Sequence, residues 1–128
     1  MYVLMDMEWY QTWKSNVPVQ FAALRINSNW TVMDRYKRIV HPNTTGKIKW
    51  NSVCFTGATK QEYSSAADLL TVLNDLRDWL KNDDMIFWWH ESSENLFREI
   101  YTQAFGSPIG EMGALPAELM AHTAPYGT

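Results

Sequence analysis

Asp6 and Glu8 stand two residues apart at the end of a short apolar run, Tyr2-Val3-Leu4-Met5. That run is rich in strand formers, and alternate side chains of a strand share a face. Two carboxylates are then aimed the same way and raise each other's pKa. Two hard cations, Mg2+ or Mn2+, would relieve the repulsion and support phosphodiester hydrolysis. The plainer reading is a strand that runs out into solvent with two exposed acids, since an isolated D-x-E is common.

Other side chains extend this reading. Trp9 and Trp13 directly follow the acids. They could stack a terminal base, or pack over the sheet edge. Arg35, Lys37, Arg38, Lys47 and Lys49 form a basic stretch suited to phosphates, or equally a solvated hairpin. His90 closes the apolar run 85–89, either lining a site or sitting satisfied at a strand end. Cys54 has no neighbouring His or acid in sequence and reads as a structural thiol. No glycine-rich phosphate loop, G-x-S-x-G, H-E-x-x-H or C-x-x-C occurs, so hydride transfer, serine hydrolysis and zinc-protease chemistry have no support.

The elements that must position these residues follow from periodicity and turn signals. A first strand starts at Tyr2 and runs through the acids. Residues 18–26 read as a second strand with Val19, Phe21 and Ala23 on one face. Asn27-Ser28-Asn29 is a turn, and residues 30–40 return as a third, antiparallel strand. Residues 43–63 read as loop. Leu69, Leu73, Leu76 and Leu80 predict a helix over 66–81, started at Ser65 by a capping-box-like Ser-Ala-Ala-Asp. The run Met85-Ile86-Phe87-Trp88-Trp89 predicts a buried strand, with its two Trp rings on opposite faces. A second helix over 93–105 faces Leu96, Phe97, Ile100, Tyr101 and Ala104 inward and stops at Gly106. The order β-β-β-α-β-α gives an α/β domain over 1–105, a mixed sheet with helices packed on it. Residues 106–128 read as a tail with little regular structure, at most one helical turn near 116–121.

Composition bounds the rest. The 128 residues make one small domain, and seven Trp help supply a core at this length. No apolar run is long enough for a transmembrane helix, and the early acids oppose a signal peptide. A single cysteine excludes an intramolecular disulfide framework and points to a reducing, cytoplasmic setting. The net charge of −3 hides a split. Residues 25–60 carry seven bases and one acid, whereas residues 61–128 carry three bases and eleven acids. The basic part suits nucleic acid, and the acidic part suits a basic protein partner. Exposed aromatics and an unprotected sheet edge leave a homodimer open.

Over about residues 2–105 the chain resembles the DEDD 3′–5′ exonuclease family of the ribonuclease H-like fold. The resemblance rests on an apolar strand ending in Asp6-Met7-Glu8, a hairpin leading to Pro42, the Thr56-Gly57 pair, and the helix and buried strand that follow. It implies Asp6 and Glu8 as ligands of Mg2+ or Mn2+, and single-stranded DNA or RNA as partner. The family's second motif, H-N-x-x-F-D, aligns with His90 through Asn95, so an amide stands where a carboxylate belongs. The third motif, H-x-A-x-x-D, matches only His122-Thr-Ala-Pro-Tyr-Gly127, which keeps the general-base His122 but puts glycine in place of Asp. With two of four carboxylates, the expectation is an exonuclease-like protein whose hydrolysis is weak or lost. The alternative is a non-catalytic regulator or inhibitor, a pseudoenzyme that kept the fold.

Overall fold

The computed structural model describes residues 1–12, 15–42, 48–106 and 112–114. The first three strands are β1 (Tyr2–Gln11), β2 (Asn16–Ile26) and β3 (Val32–Ile39). Each pairs antiparallel with the next. β4 (Met85–Trp88) lies parallel to β1 on its other side, and β5 (Met112–Ala114) continues in parallel beyond it. The sheet order is β3-β2-β1-β4-β5, so the strand that carries Asp6 and Glu8 is central. β5 arises within the stretch read from sequence as a tail. Its three residues satisfy backbone groups that β4 would otherwise present along an open edge.

Helices α3 (Leu69–Trp79) and α4 (Glu91–Phe105) pack on one sheet face. There Val3, Met5 and Met7 of β1 meet Phe21, Ala23, Leu73, Leu76, Trp88 and Phe97 in the main core. The opposite face carries two smaller clusters. Leu4 joins Ile26 and Phe87 at one end, while Tyr10 joins Val17, Val53 and Tyr63 at the other. Trp88 and Trp89 divide between the two faces as the alternation requires. Among the described residues no helix is long and apolar enough to cross a membrane.

Several boundaries differ from the sequence reading, each for a local reason. β2 begins at Asn16, and its register jumps from Glu8–Gln20 to Trp9–Pro18. Val19 is the extra residue of this bulge, so it packs with the Tyr10 cluster instead of with Phe21 and Ala23. Pro18, which has no N–H to give, sits at the irregularity. The stretch read as loop folds from Trp50 into α1 (Trp50–Val53), a 3-10 turn (Cys54–Thr56) and α2 (Lys60–Ser64). A capping box drives α2: the Thr59 hydroxyl accepts the Glu62 N–H at 3.1 Å and Glu62 accepts the Thr59 N–H at 3.1 Å. α3 starts later than expected because Asp68, not Ser65, caps it by accepting the Thr71 N–H at 2.8 Å. α4 starts earlier, at Glu91, and its Ala104 is exposed.

Candidate functional site

β1 extends past the end of β4. Met5 is the last residue paired with that strand, and Trp89 N–H reaches back to the Met5 carbonyl at 3.3 Å. Asp6 and Glu8 therefore lie on β1 just beyond the carboxyl end of its parallel neighbour β4, at the carboxyl side of the sheet where open α/β folds bind ligands. Both lie on the face opposite α3 and α4, in the gap between the Leu4 and Tyr10 clusters. The bulge follows directly after Glu8 and shifts the register of β1 against β2 there.

The two acids occupy different surroundings. Asp6 Oδ1 accepts the Met7 backbone N–H at 2.9 Å, which steadies its carboxylate. Burial pushes the Glu8 carboxyl above its ordinary range, and the charge of Asp6 pushes the same way. His90 acts in the opposite sense. A cleft of about 190 Å³ holds Asp6, Glu8, Trp9, His90, Ser92 and Ser93. The last three come from the start of α4, where His90 takes the N-cap position. Buried Ser93 ties that helix end to β1, its hydroxyl donating to the Met7 carbonyl at 3.5 Å.

Asp6 also borders a second, larger cleft of about 360 Å³. Its floor is Leu4, Ala22 and Leu24; Trp89, Arg35 and Lys37 complete it. Strand alternation on β3 makes the division. Arg35 and Lys37 pair with Leu24 and Ala22 on the open face, whereas Tyr36 and Arg38 turn toward α3. There Arg38 Nη1 meets Asp75 at 3.1 Å and Tyr36 OH donates to the same carboxylate at 2.9 Å.

Of the residues singled out from sequence, the structure brings together Asp6, Glu8, Trp9 and His90, with Arg35 and Lys37 beside them across Asp6. Arg38 stands on the other face, and Lys49 is outside both clefts. Asn95 is exposed on α4 and does not line the cleft. Trp13, Lys47 and His122 lie outside the described residues. Sequence reading missed Ser92, Ser93 and the exposed side of Trp89. The serines were legible only to a reading that started α4 at His90, where a strand end meets a run of helix-starting acids and serines.

The fit to metal can be judged from these groups. Two carboxylates on one face, one of them resisting ionisation beside the other, suit one hard divalent cation. Among the described residues no set of three His, Cys, Asp or Glu side chains is placed to hold a metal, so the protein ligands brought together here are the two carboxylates.

The Thr56-Gly57 pair closes the Tyr10 side. The Thr56 and Tyr63 hydroxyls hydrogen-bond to each other. Gly57 takes φ +95°, a left-handed conformation that a side chain would strain.

No sequence-family model matches the chain, and no curated protein matches it in sequence. Solved structures do. The nuclease domain of 3′hExo, a DEDDh family member bound to rAMP, superimposes with a TM-score of 0.65 at 16% identity, over 80% of this chain and 57% of that one. E. coli exonuclease I in complex with a dT13 oligonucleotide gives 0.64 at 20% identity, over 81% of this chain and 24% of that one. The exonuclease I complex with SSB-Ct gives 0.71 at 20% identity, over 98% of this chain and 30% of that one. The chain thus spans little more than half of the first of these and under a third of the others. At such identities the likeness is one of fold, and the fold of this chain is that of the DEDD-type 3′–5′ exonucleases.

Proposed function

We propose that the chain binds the 3′ ends of single-stranded nucleic acid at the Asp6–Glu8 cleft with one divalent cation, Mg2+ or Mn2+, and that its phosphodiester hydrolysis is weak. The observation that carries this reading is the acid pair itself, set on one face of the central strand beyond the end of β4. Asp6 and Glu8 would hold the ion through their carboxylates. A bound divalent ion supplies Lewis-acid stabilisation of charge at a phosphate. The rest falls to the chain. Trp9, packed in part against the main core, borders the cleft and offers its remaining edge to a terminal base, and His90 lines the cleft beside Glu8. Hydrolysis is weak on this reading because Asn95 stands away from the cleft, and the acid pair alone balances the charge of one dication.

The test measures two things on the same protein. Mn2+ should raise the melting temperature of the wild type and leave Asp6→Ala unmoved. Incubation with 3′-labelled single strands and Mn2+ should release terminal nucleotides slowly, and Asp6→Ala should stop it. Absence of both effects in the wild type overturns the proposal.

A second reading is favoured by the position of Asn95 and by the exposed acids Asp78, Asp83, Glu91 and Glu99 on the helical side. There the fold serves as a platform for a basic protein partner, without catalysis. A metal-induced rise in melting temperature without any nucleotide release would favour it.

A further inference from the structure

The larger cleft has a composition that the acid pair does not explain. Its floor is apolar, one wall is the half-buried ring of Trp89, and its far rim is formed by the exposed cations Arg35 and Lys37. Asp6, Ala22 and Lys37 stand in one row across three strands, and Leu4, Leu24 and Arg35 form the next. With strands about 4.8 Å apart, Lys37 is rooted about 10 Å from Asp6. That distance is within the span of a short oligonucleotide. An apolar floor and an indole suit bases, which stack without regard to sequence, and cations beyond them suit phosphates.

We infer that this cleft is a binding track for the nucleotides that precede the 3′ end of a single strand, with bases against Trp89 and the apolar floor and phosphates on Arg35 and Lys37. The inference rests on the proposed function, since it takes the 3′ end to lie at Asp6. It goes further in giving the strand a direction, from β3 toward β1. It also assigns Arg35 and Lys37 a joint role from which Arg38, turned to Asp75, is absent.

Fluorescence anisotropy with labelled pentathymidylate and pentauridylate, in EDTA, tests the track apart from the metal. Wild type should bind at least one of the two. Lys37→Glu and Arg35→Glu should each weaken binding about tenfold or more, and Trp89→Ala about tenfold. Lys81→Glu changes charge equally at the far end of β4 and should leave binding intact. The exposed positions 35 and 37 keep the test decisive even if Trp89→Ala fails to fold. Equal binding by wild type and both glutamate variants overturns the track. So does self-association through this face without oligonucleotide binding. A Mn2+-induced rise in melting temperature without oligonucleotide binding leaves the metal reading standing and overturns the track alone.

Discussion

Among the described residues no third carboxylate joins Asp6 and Glu8, and the geometry says where one would have to be. The sequence resemblance points to Asn95, five residues after His90. α4 begins immediately after His90, so position 95 has already rotated onto an exposed part of the helix. Ser92 lines the cleft instead. Ser92→Asp should therefore tighten Mn2+ binding about tenfold or more, read by calorimetry, whereas Asn95→Asp should leave it within about twofold. The reverse order would show that α4 meets the acids in another register. A negative charge at position 92 also falls in the first turn of α4, where the helix dipole favours it, so folding should not suffer. The D-x-E pair was legible in sequence because two short-range facts, an apolar run and an i, i+2 spacing, suffice to place it. Ser92 was not, because its relevance depends on a helix start that only the packing of Ser93 against β1 fixes.

Among the elements, β2 is tied to the turn before β4 by a buried ion pair. Arg25, 3% exposed, donates to Asp84 from Nη2 at 2.9 Å and to the Trp79 carbonyl at 2.6 Å, and its guanidinium lies over the Trp79 ring. Asp84 also accepts the Lys81 N–H at 2.9 Å. Burial works against the Asp84 carboxylate, but the Arg25 hydrogen bond, the Lys81 N–H and the nearby positive charges outweigh it and hold its pKa below the usual value of 3.8. A lowered pKa in the folded state contributes stability above the unfolded value and loses it as pH falls through the folded one. The stability advantage of wild type over Asp84→Asn should thus be full above the ordinary carboxylate range, from about pH 5 upward, and shrink progressively as pH falls below it. At neutral pH it should amount to about 1.5–3 kcal/mol in urea unfolding, because Arg25 loses its buried charged partner and keeps only the more exposed Asp34 carboxylate, 3.3 Å from Nη1. An advantage that stays constant across that range would refute the assignment. This pair links residues 59 positions apart, so no local pattern announces it. The same limit explains the missed helices over 50–64. Their core residues, Val53 and Tyr63, pack against Tyr10, Val17 and Val19, the last turned toward them by the bulge.

Over the whole molecule the charge split becomes a division of surfaces, though not along the line that the sequence draws. Among the described residues, the bases of 25–60 do not form one patch. Arg25 is consumed by Asp84, Arg38 by Asp75, and Lys60 lies over the Trp50 ring. Alternation along β3 leaves Arg35 and Lys37 together on the open face. A count of seven bases would suggest a steep salt dependence of nucleic-acid binding. Two cations in the track predict a shallow one. For single strands, log K falls with log salt by about 0.7 per phosphate neutralised, so the slope should be about −1.4. Titrations of pentathymidylate between about 50 and 200 mM NaCl read that slope directly. Lys37→Gln should reduce it by about 0.7, as should Arg35→Gln. A wild-type slope near −4 or steeper would mean that the strand follows a path with many more cations than this cleft provides, and the direction assigned to it across β2 would then be wrong.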